Sequence, residues 1–197
     1  MDLLMQRLHH PLKPWGRGAL TGLVLAAALA STAAANQQPR EVVRVLRVND
    51  GQEVLVESQG QGRAVKLSCL EAPRPDQQPW ASEATAALRE LLPEGTEITL
   101  ELRARDVEGR LVGRLLPRTD RLSQTNPNIS RGDIGESLIR QGHAIVRDGH
   151  LGRCDDLLYK TLEAKAKAER LGVWSVPDGI PRPWDHKEAQ QDRGMAP

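Results

Sequence analysis

Short runs in which apolar and polar residues alternate dominate residues 41–116 of the chain. An alternation with a period of two places the apolar side chains on one face of a β-strand, so it predicts strands rather than helices. Five such runs occur, with apolar residues at Val43/Val45, Val54/Val56, Val65/Leu67/Cys69, Ile98/Leu100/Leu102 and Leu111/Leu115. The chain contains no Phe and a single Tyr, so a core built on these strands must be aliphatic.

Turn-forming residues separate these runs and predict how the strands are connected. Residues 49–51 read Asn-Asp-Gly, residues 59–62 read Gln-Gly-Gln-Gly and residues 106–109 read Asp-Val-Glu-Gly. Such combinations favour hairpins. Between the third and fourth runs, apolar residues recur at helical spacing from Trp80 to Leu91, and a Pro-Glu-Gly turn follows. This spacing predicts a helix that crosses between the two groups of strands.

Two further helices are predicted after a polar loop. Asp133 can cap the first of them, and Gly142 ends it. Asp155 or Asp156 can cap the next, and Gly172 suits its C-terminal end. Three strands, one helix, two strands and two helices make an α+β domain, which we expect to be a five-stranded OB-fold-type β-barrel with three helices packed against it. A fold class does not by itself establish a function.

The first 35 residues have the composition of a secretory signal peptide. Three basic residues, Arg7, Lys13 and Arg17, precede an uncharged run over residues 18–35 that ends in three alanines. The strongly apolar part is about half as long as the roughly 20 residues that a membrane-spanning helix needs. We therefore expect export to the periplasm or the cell exterior, with no membrane attachment after processing. An uncleaved N-terminal anchor is the alternative, and both place the folded part outside the cytoplasm.

The rest of the chain divides into a domain over residues 36–176 and a C-terminal tail over residues 177–197, which we expect to be partly disordered. The whole sequence has 27 Lys and Arg against 26 Asp and Glu, a net charge of +1. This balance creates no overall field for a polyanion, so any contact with nucleic acid must be weak and local. We expect a monomer.

The two cysteines, Cys69 and Cys154, allow two interpretations. In an oxidising compartment they could form a disulfide that stabilises the fold by roughly 4 kcal/mol in the chain-entropy model. Alternatively, both are small buried apolar residues, because the sequence does not establish whether their Cα atoms approach each other. The chain has no CxxC motif and no Cys/His cluster, so we expect no zinc site.

Five motifs occur in a fixed order along the chain. They are Val48-Asn49-Asp50-Gly51, Lys66-Leu67-Ser68-Cys69-Leu70-Glu71-Ala72-Pro73, Asp106-Val107-Glu108-Gly109-Arg110, Leu138-Ile139-Arg140-Gln141-Gly142 and Leu171-Gly172-Val173-Trp174. Their order and spacing resemble the staphylococcal nuclease (thermonuclease) family over residues 42–174. Segments beginning at Gln78, Leu151 and Gly179 further resemble its exported cyanobacterial branch. The resemblance implies a calcium-dependent phosphodiesterase that cuts DNA and RNA.

The resemblance also implies two cationic side chains that stabilise the charge developing on the phosphate. One is Arg110, where the family's arginine is kept and a planar guanidinium can contact two phosphate oxygens at once. The other is Lys66, where the family has arginine, so the charge is kept but the bidentate geometry is lost. Lys66 lies on the strand face opposite Val65 and Leu67, as a groove-facing residue would. A solvated strand lysine is the alternative.

The family's metal ligands are altered in this sequence. The aspartate that ligates calcium in the family corresponds to Gln52, and the second metal carboxylate corresponds to Glu71, which is one methylene longer. Gln52, Glu71, the Ala72 carbonyl and waters could hold Ca²⁺, but with lower affinity because one negative charge is missing. Asp50 would then orient the ligands without contacting the metal. Alternatively, Asp50 serves only the Asn-Asp-Gly turn.

Arg74 occupies the position of the family's general base, and a guanidinium that is always protonated cannot accept a proton. Asp76 and Glu53 are candidate replacements, although each is also consistent with an ordinary surface carboxylate. Two functions therefore remain open. The first is an exported nuclease with a modified site and a low rate, and the second is a catalytically inactive relative whose barrel binds nucleic acid or protein.

Overall fold

The computed structural model describes residues 39–118, 132–147, 154 and 158–194. Its elements in chain order are β1 (Arg40–Val48), β2 (Glu53–Ser58), β3 (Gln61–Leu67), β4 (Leu70–Glu71), α1 (Trp80–Leu91), β5 (Glu97–Arg105), β6 (Leu111–Pro117), α2 (Ile134–Arg140), β7 (Ile145–Val146), α3 (Tyr159–Ala168), a 3₁₀ turn (Gly172–Trp174) and α4 (Pro183–Gly194). The expected signal peptide, residues 1–35, lies outside the described residues, as do the capping candidates Asp155 and Asp156. Within the described part, no helix combines the length and apolar character that crossing a membrane requires.

Five of the strands close into a barrel in the order β1-β2-β3-β6-β5. Neighbouring strands are antiparallel, except that β3 and β6 are parallel. The alternating apolar residues point into the barrel, where Val54, Val56, Val65 and Ile98 are fully buried. The expected five-stranded OB-fold-type barrel with an aliphatic interior is therefore confirmed. Beside it, β4 and β7 form a separate two-stranded sheet.

The three expected helices are present, although the last of them, α3, does not end at the residue predicted. Asp133 caps α2 by accepting a hydrogen bond from the Glu136 backbone N–H at 2.9 Å. After α3, the residue whose backbone adopts the left-handed conformation is Arg170 (φ 54°). Gly172 therefore does not end that helix, contrary to the prediction from the sequence. Gly172 begins the 3₁₀ turn instead, where a Cβ atom would lie 2.2 Å from the carbonyl oxygen of Gly142. Its glycine is therefore required by the close approach of two backbone segments.

A fourth helix, α4, occupies part of the segment for which the sequence predicts a partly disordered tail. The proline at its first position, Pro183, loses no hydrogen bond there, because helical N–H groups at that end have no intrahelical partner. Apart from this proline the helix carries one large apolar side chain, Trp184, so the sequence shows no amphipathic stripe. Trp184 packs instead against a cluster formed by Ile145, Val173 and Ile180.

Buried hydrogen bonds and ion pairs connect α2 and α3 to the barrel. Asp133 accepts hydrogen bonds from the Tyr159 hydroxyl at 2.7 Å and from Nε of Arg114 at 2.5 Å. Arg114 also donates to Glu101 of β5 at 3.4 Å. Buried charges are tolerated when they are paired and hydrogen-bonded, so these contacts fix where the two helices join the sheet.

A disulfide joins Cys69 to Cys154, with 5.7 Å between their Cα atoms. Of the two interpretations of the cysteines, the structure therefore has the paired one. Cys69 is buried in the turn between β3 and β4, and its carbonyl oxygen accepts a hydrogen bond from the Arg147 backbone N–H at 3.0 Å. The crosslink thus lies directly beside the sheet formed by β4 and β7.

Candidate functional site

Candidate site residues predicted from the sequence lie together at one end of the barrel. The Leu67 backbone N–H donates to the carbonyl oxygen of Gln52 at 2.9 Å, which joins the β1–β2 turn to the end of β3. Glu53 is the cross-strand partner of Lys66, and Lys66 is paired with Val112 of β6 on its other side. We call this end of the barrel, with the β1–β2 turn, β4 and the β5–β6 turn, the barrel mouth.

The β1–β2 turn is organised by Asp50 and Gly51. One carboxylate oxygen of Asp50 accepts hydrogen bonds from the backbone N–H groups of Gln52 and Glu53, both at 2.8 Å. A Cβ atom on Gly51 would lie 2.7 Å from the Cβ of Ala84 in α1, so glycine allows the turn to rest on that helix. Asp50 therefore stabilises the turn, one of the two roles that the sequence allowed. Because one of these hydrogen bonds comes from the Gln52 backbone, Asp50 also fixes the position of Gln52.

Arg110 is held in place by carboxylates around it. Asp106 accepts from the Arg110 side-chain Nε at 2.6 Å and from its backbone N–H at 2.9 Å, and Glu53 accepts from Nη1 at 3.1 Å. Glu108 forms a further ion pair. The hydrogen bond to Asp106 is the main reason why the pKa of Arg110 is raised. The guanidinium is therefore permanently charged and fixed in direction.

Glu53 is bonded to this guanidinium, and Lys66 is the cross-strand partner of Glu53. Lys66 is partly exposed on the outer face of β3, between buried neighbours Val65 and Leu67, as the strand alternation predicts. Glu53 accepts a hydrogen bond from the Asn49 side-chain amide at 2.7 Å on one oxygen and from Arg110 on the other. The mouth thus presents two cations with a carboxylate beside them.

The residues expected to hold calcium are engaged in other contacts. The side-chain oxygen of Gln52 accepts a hydrogen bond from the Ala72 backbone N–H at 3.0 Å. Glu71 forms a hydrogen-bonded ion pair with Arg147. A cation bound to Glu71 would have to compete with the Arg147 guanidinium, and the amide of Gln52 brings no charge.

The described part of the chain contains no group of three or more His, Cys, Asp or Glu side chains placed to hold a metal ion together. Of the expected donors, the Gln52 oxygen is bonded to the Ala72 backbone N–H and Glu71 is paired with Arg147, and for this reason they do not fit a calcium ion in this arrangement. One carboxylate oxygen of Asp50 is used by the backbone N–H groups of the turn.

A cavity of about 510 Å³ adjoins Gln52 and Glu71 and is also lined by Arg74 and Arg89. The Nε atom of Arg74 is buried and has no hydrogen-bond partner among the described residues. Asp76, one of the candidate bases, is directed to α4, where its carboxylate lies 2.7 Å from Nε2 of His186. Of the two candidate bases, only Glu53 lies beside Arg110.

Arg147 is the residue of this site that the sequence did not reveal. It follows β7 directly, pairs with Glu71, and its guanidinium carbon lies 5.0 Å from the centre of the Trp184 ring. The sequence pattern held no signal for it, because Arg147 and Glu71 are 76 residues apart and an isolated arginine at a strand end is ordinary.

Comparison with known proteins supports the resemblance noted in the sequence. The model of the family described as "Staphylococcal nuclease homologue" matches residues 63–176, which is more than half of the chain. That range includes Lys66, Glu71, Arg74 and Arg110, whereas Gln52 precedes it.

Curated relatives include proteins named "Probable endonuclease LCL3". The protein from Verticillium alfalfae is 31% identical over 126 residues, which cover 59% of this chain and 40% of that protein. The protein from Pyricularia oryzae is 29% identical over 131 residues, which cover 62% of this chain and 48% of that protein. The chain therefore spans less than half the length of these curated relatives. On the family match, the chain belongs to the family of staphylococcal nuclease homologues.

Proposed function

We propose that this chain is an exported nuclease of low rate that hydrolyses phosphodiester bonds of DNA or RNA at the barrel mouth. The observation that carries the proposal is the fixed guanidinium of Arg110, held by Asp106 and Glu53. Lys66 lies across the strand from Glu53 and adds a second cation. Prearranged cations of this kind stabilise negative charge that develops on a phosphate in the transition state.

The hydrolytic step needs a group that takes a proton from water. Glu53 is the carboxylate that lies beside Arg110, so we propose it as this base. The water oxygen bonds to phosphorus, its proton passes to Glu53, and the bond to the leaving sugar oxygen breaks, with that oxygen protonated from solvent. Arg110 and Asn49 both donate to Glu53, so both of its carboxylate oxygens are already hydrogen-bonded. One of these contacts must be given up before Glu53 can take a proton from water, so a low rate is expected.

The proposal does not use the calcium ion that the family resemblance implies. Gln52 and Glu71 do not fit the ion as they are arranged, because one is bonded to the Ala72 backbone and the other to Arg147. The site is therefore proposed to act through its own cations alone.

Export is part of the same proposal. It is supported by the signal-like composition of residues 1–35 and by the disulfide between Cys69 and Cys154, since disulfides persist in oxidising compartments. Membership of an exported cyanobacterial branch remains a prediction that rests on the motifs around Gln78, Leu151 and Gly179. A monomeric state also remains a prediction.

The experiment is cleavage of end-labelled single-stranded DNA and RNA by the purified chain and by three variants. Arg110→Gln should reduce the cleavage rate by about a hundredfold or more, the effect of removing a donor that stabilises transition-state charge. Glu53→Gln should reduce it at least as far while retaining binding. Arg44→Gln, which removes an exposed arginine on the barrel surface, is the matched control and should keep the wild-type rate. Equal residual rates in all four proteins would contradict the proposal.

A second function is favoured by one observation, the presence of Arg74 in the cavity at the mouth. An arginine whose buried Nε has no partner among the described residues suits an anion better than it suits a proton-transfer site. In that case the mouth holds a phosphodiester backbone without cutting it. Binding that depends on Arg110 and Arg74 but is accompanied by no cleavage in any condition would support this second function over the first.

A further inference from the structure

A larger cavity, of about 950 Å³, opens on the side of the domain formed by α3, the 3₁₀ turn and the segment that leads into α4. We call it the tryptophan groove. The residues that matter for its chemistry are Arg147, Lys167, Arg170, Trp174, Arg182 and Trp184. The groove therefore combines four cationic side chains with two indole rings.

The cations and the rings of the groove are in direct contact. The Nζ atom of Lys167 lies 4.3 Å from the centre of the Trp174 ring. The guanidinium carbons of Arg147 and Arg182 lie 5.0 Å and 5.8 Å from the centre of the Trp184 ring. Cations at these distances are attracted by the ring faces. The positive charges are thereby gathered along the same surface as the aromatic rings.

The acids of the groove offset only part of this charge. Two acidic residues line it, Glu163 and Asp178. Glu163 uses one oxygen for the Val146 backbone N–H and the other for Lys167, both at 2.8 Å. Arg170 and Arg182 remain exposed at the surface of the groove. The described lining is therefore positive overall, although the chain as a whole is nearly neutral.

The groove and the cavity at the barrel mouth are neighbours. Arg147 lines the groove, and its guanidinium pairs with Glu71, which lines the cavity at the mouth. A ligand longer than one nucleotide that occupies the mouth is therefore close to the groove.

We propose that the tryptophan groove binds a single-stranded segment of nucleic acid next to the phosphodiester held at the mouth. The inference rests on the proposed function, because it places a second contact on the same strand. Arg170 and Arg182 would contact phosphates, and bases would stack on the exposed parts of Trp174 and Trp184. Stacking of this kind tolerates any base, so the groove provides affinity without sequence preference.

The test measures binding of a fluorescein-labelled oligothymidylate of about 15 nucleotides, a length within the range of single-strand binding sites. Binding is followed by anisotropy in wild type and in the Glu53→Gln background, where cleavage does not interfere. Arg170→Gln combined with Arg182→Gln should weaken binding about tenfold at 0.1 M salt. It should also make the dependence of log K on log salt shallower by about 1.4, because two phosphates of the strand are no longer neutralised by arginine. Intrinsic tryptophan fluorescence should be quenched as the strand binds.

The matched control removes the same number of charges from the same two helical regions. Lys165→Gln combined with Lys187→Gln changes exposed residues outside the groove, on α3 and α4, and should leave affinity within twofold of wild type. Equal weakening in both double variants, or none in the groove variant, would overturn the inference. Competition by polyglutamate as effective as that by unlabelled oligonucleotide would also overturn it, in favour of an acidic protein segment.

A short substrate separates this inference from the proposed function. A dinucleotide whose single phosphodiester lies at the mouth has no further nucleotide to place in the groove, so the groove variant should cleave it at the wild-type rate and Arg110→Gln should not. If Arg110→Gln cleaves it normally, the proposed function fails. If the groove variant binds the long strand normally while Arg110→Gln loses cleavage, only the groove assignment fails.

Discussion

Arg147 is hydrogen-bonded to Glu71, the one carboxylate that this chain retains from the two calcium ligands implied by its family. The guanidinium also rests on the Trp184 ring of α4, a helix that the sequence did not predict. The charge that a metal ion would supply next to Glu71 is therefore supplied by a side chain of the protein. This contact connects the altered mouth of the barrel to the C-terminal part of the chain.

Calcium binding should be recoverable by reversing two features of the mouth. Gln52→Asp restores a negative charge, and Arg147→Gln releases Glu71 from its ion pair. The double variant should gain a calcium-dependent rise in Tm, because a ligand present at 100 times its Kd stabilises a fold by about 2.7 kcal/mol. Differential scanning fluorimetry with Ca²⁺ or chelator measures this rise. Wild type should show no shift, and a wild-type shift as large as that of the double variant would refute the assignment of Arg147.

Reduction of the disulfide should destabilise the domain. Cys69 and Cys154 are 85 residues apart in sequence, and closing a loop of that size stabilises by roughly 4 kcal/mol in the chain-entropy model. Urea unfolding with and without reductant measures the difference. The Cys69→Ser/Cys154→Ser variant serves as control, since its unfolding midpoint should match that of the reduced protein and should not respond to reductant. An unchanged midpoint on reduction of wild type would contradict this prediction.

Acid should destabilise the barrel through Glu101. Burial alone would raise the pKa of Glu101, but the hydrogen bond from Arg40 and the charges of Arg103 and Arg114 hold that pKa below the ordinary value of 4.5. The folded state therefore binds this proton less readily than the unfolded state. The resulting stabilisation is present above about pH 4.5 and is lost as the pH falls through the folded-state pKa.

Glu101→Gln should remove this component of the pH dependence. Urea unfolding between pH 7 and pH 3 is the measurement, with the slope of the unfolding free energy against pH as the readout. At pH 7 the variant should be less stable than wild type by about 3 kcal/mol, since it leaves the buried charges of Arg103 and Arg114 without their negative partner. A variant with the same acid slope as wild type would show that other carboxylates, such as Asp106, dominate.

The fold could be predicted from the sequence because local signals agree with one another. Alternating valines and leucines indicated the strands, the Asn-Asp-Gly and Asp-Val-Glu-Gly turns indicated two of the hairpins, and Asp133 marked the start of α2. The helix α4 could not be predicted in this way. It is held by contacts with distant parts of the chain: Trp184 packs on the cluster of Ile145, Val173 and Ile180, and His186 lies 2.7 Å from the Asp76 carboxylate.

The sequence identified candidate residues for the site but not the contacts between them. Motif positions identified Arg110, Lys66, Gln52, Glu71 and Arg74. Periodicity and spacing carry no information on which charged groups meet across the fold. The sequence therefore could not show that Glu71 is paired to a distant arginine, that Gln52 is bonded to a backbone N–H, or that the two candidate bases lie in different surroundings.

We propose that the barrel mouth hydrolyses phosphodiesters with the cationic side chains of Arg110 and Lys66 and without calcium. The most direct measurement is the rate at which the purified wild-type chain cleaves labelled single-stranded DNA in excess Ca²⁺ and in excess chelator, with Arg110→Gln beside it. We expect the two rates to be within twofold of each other in wild type, and we expect cleavage to be lost in the variant in both conditions. Cleavage that falls tenfold or more on chelation would contradict it, because calcium would then be bound despite the Glu71–Arg147 pair.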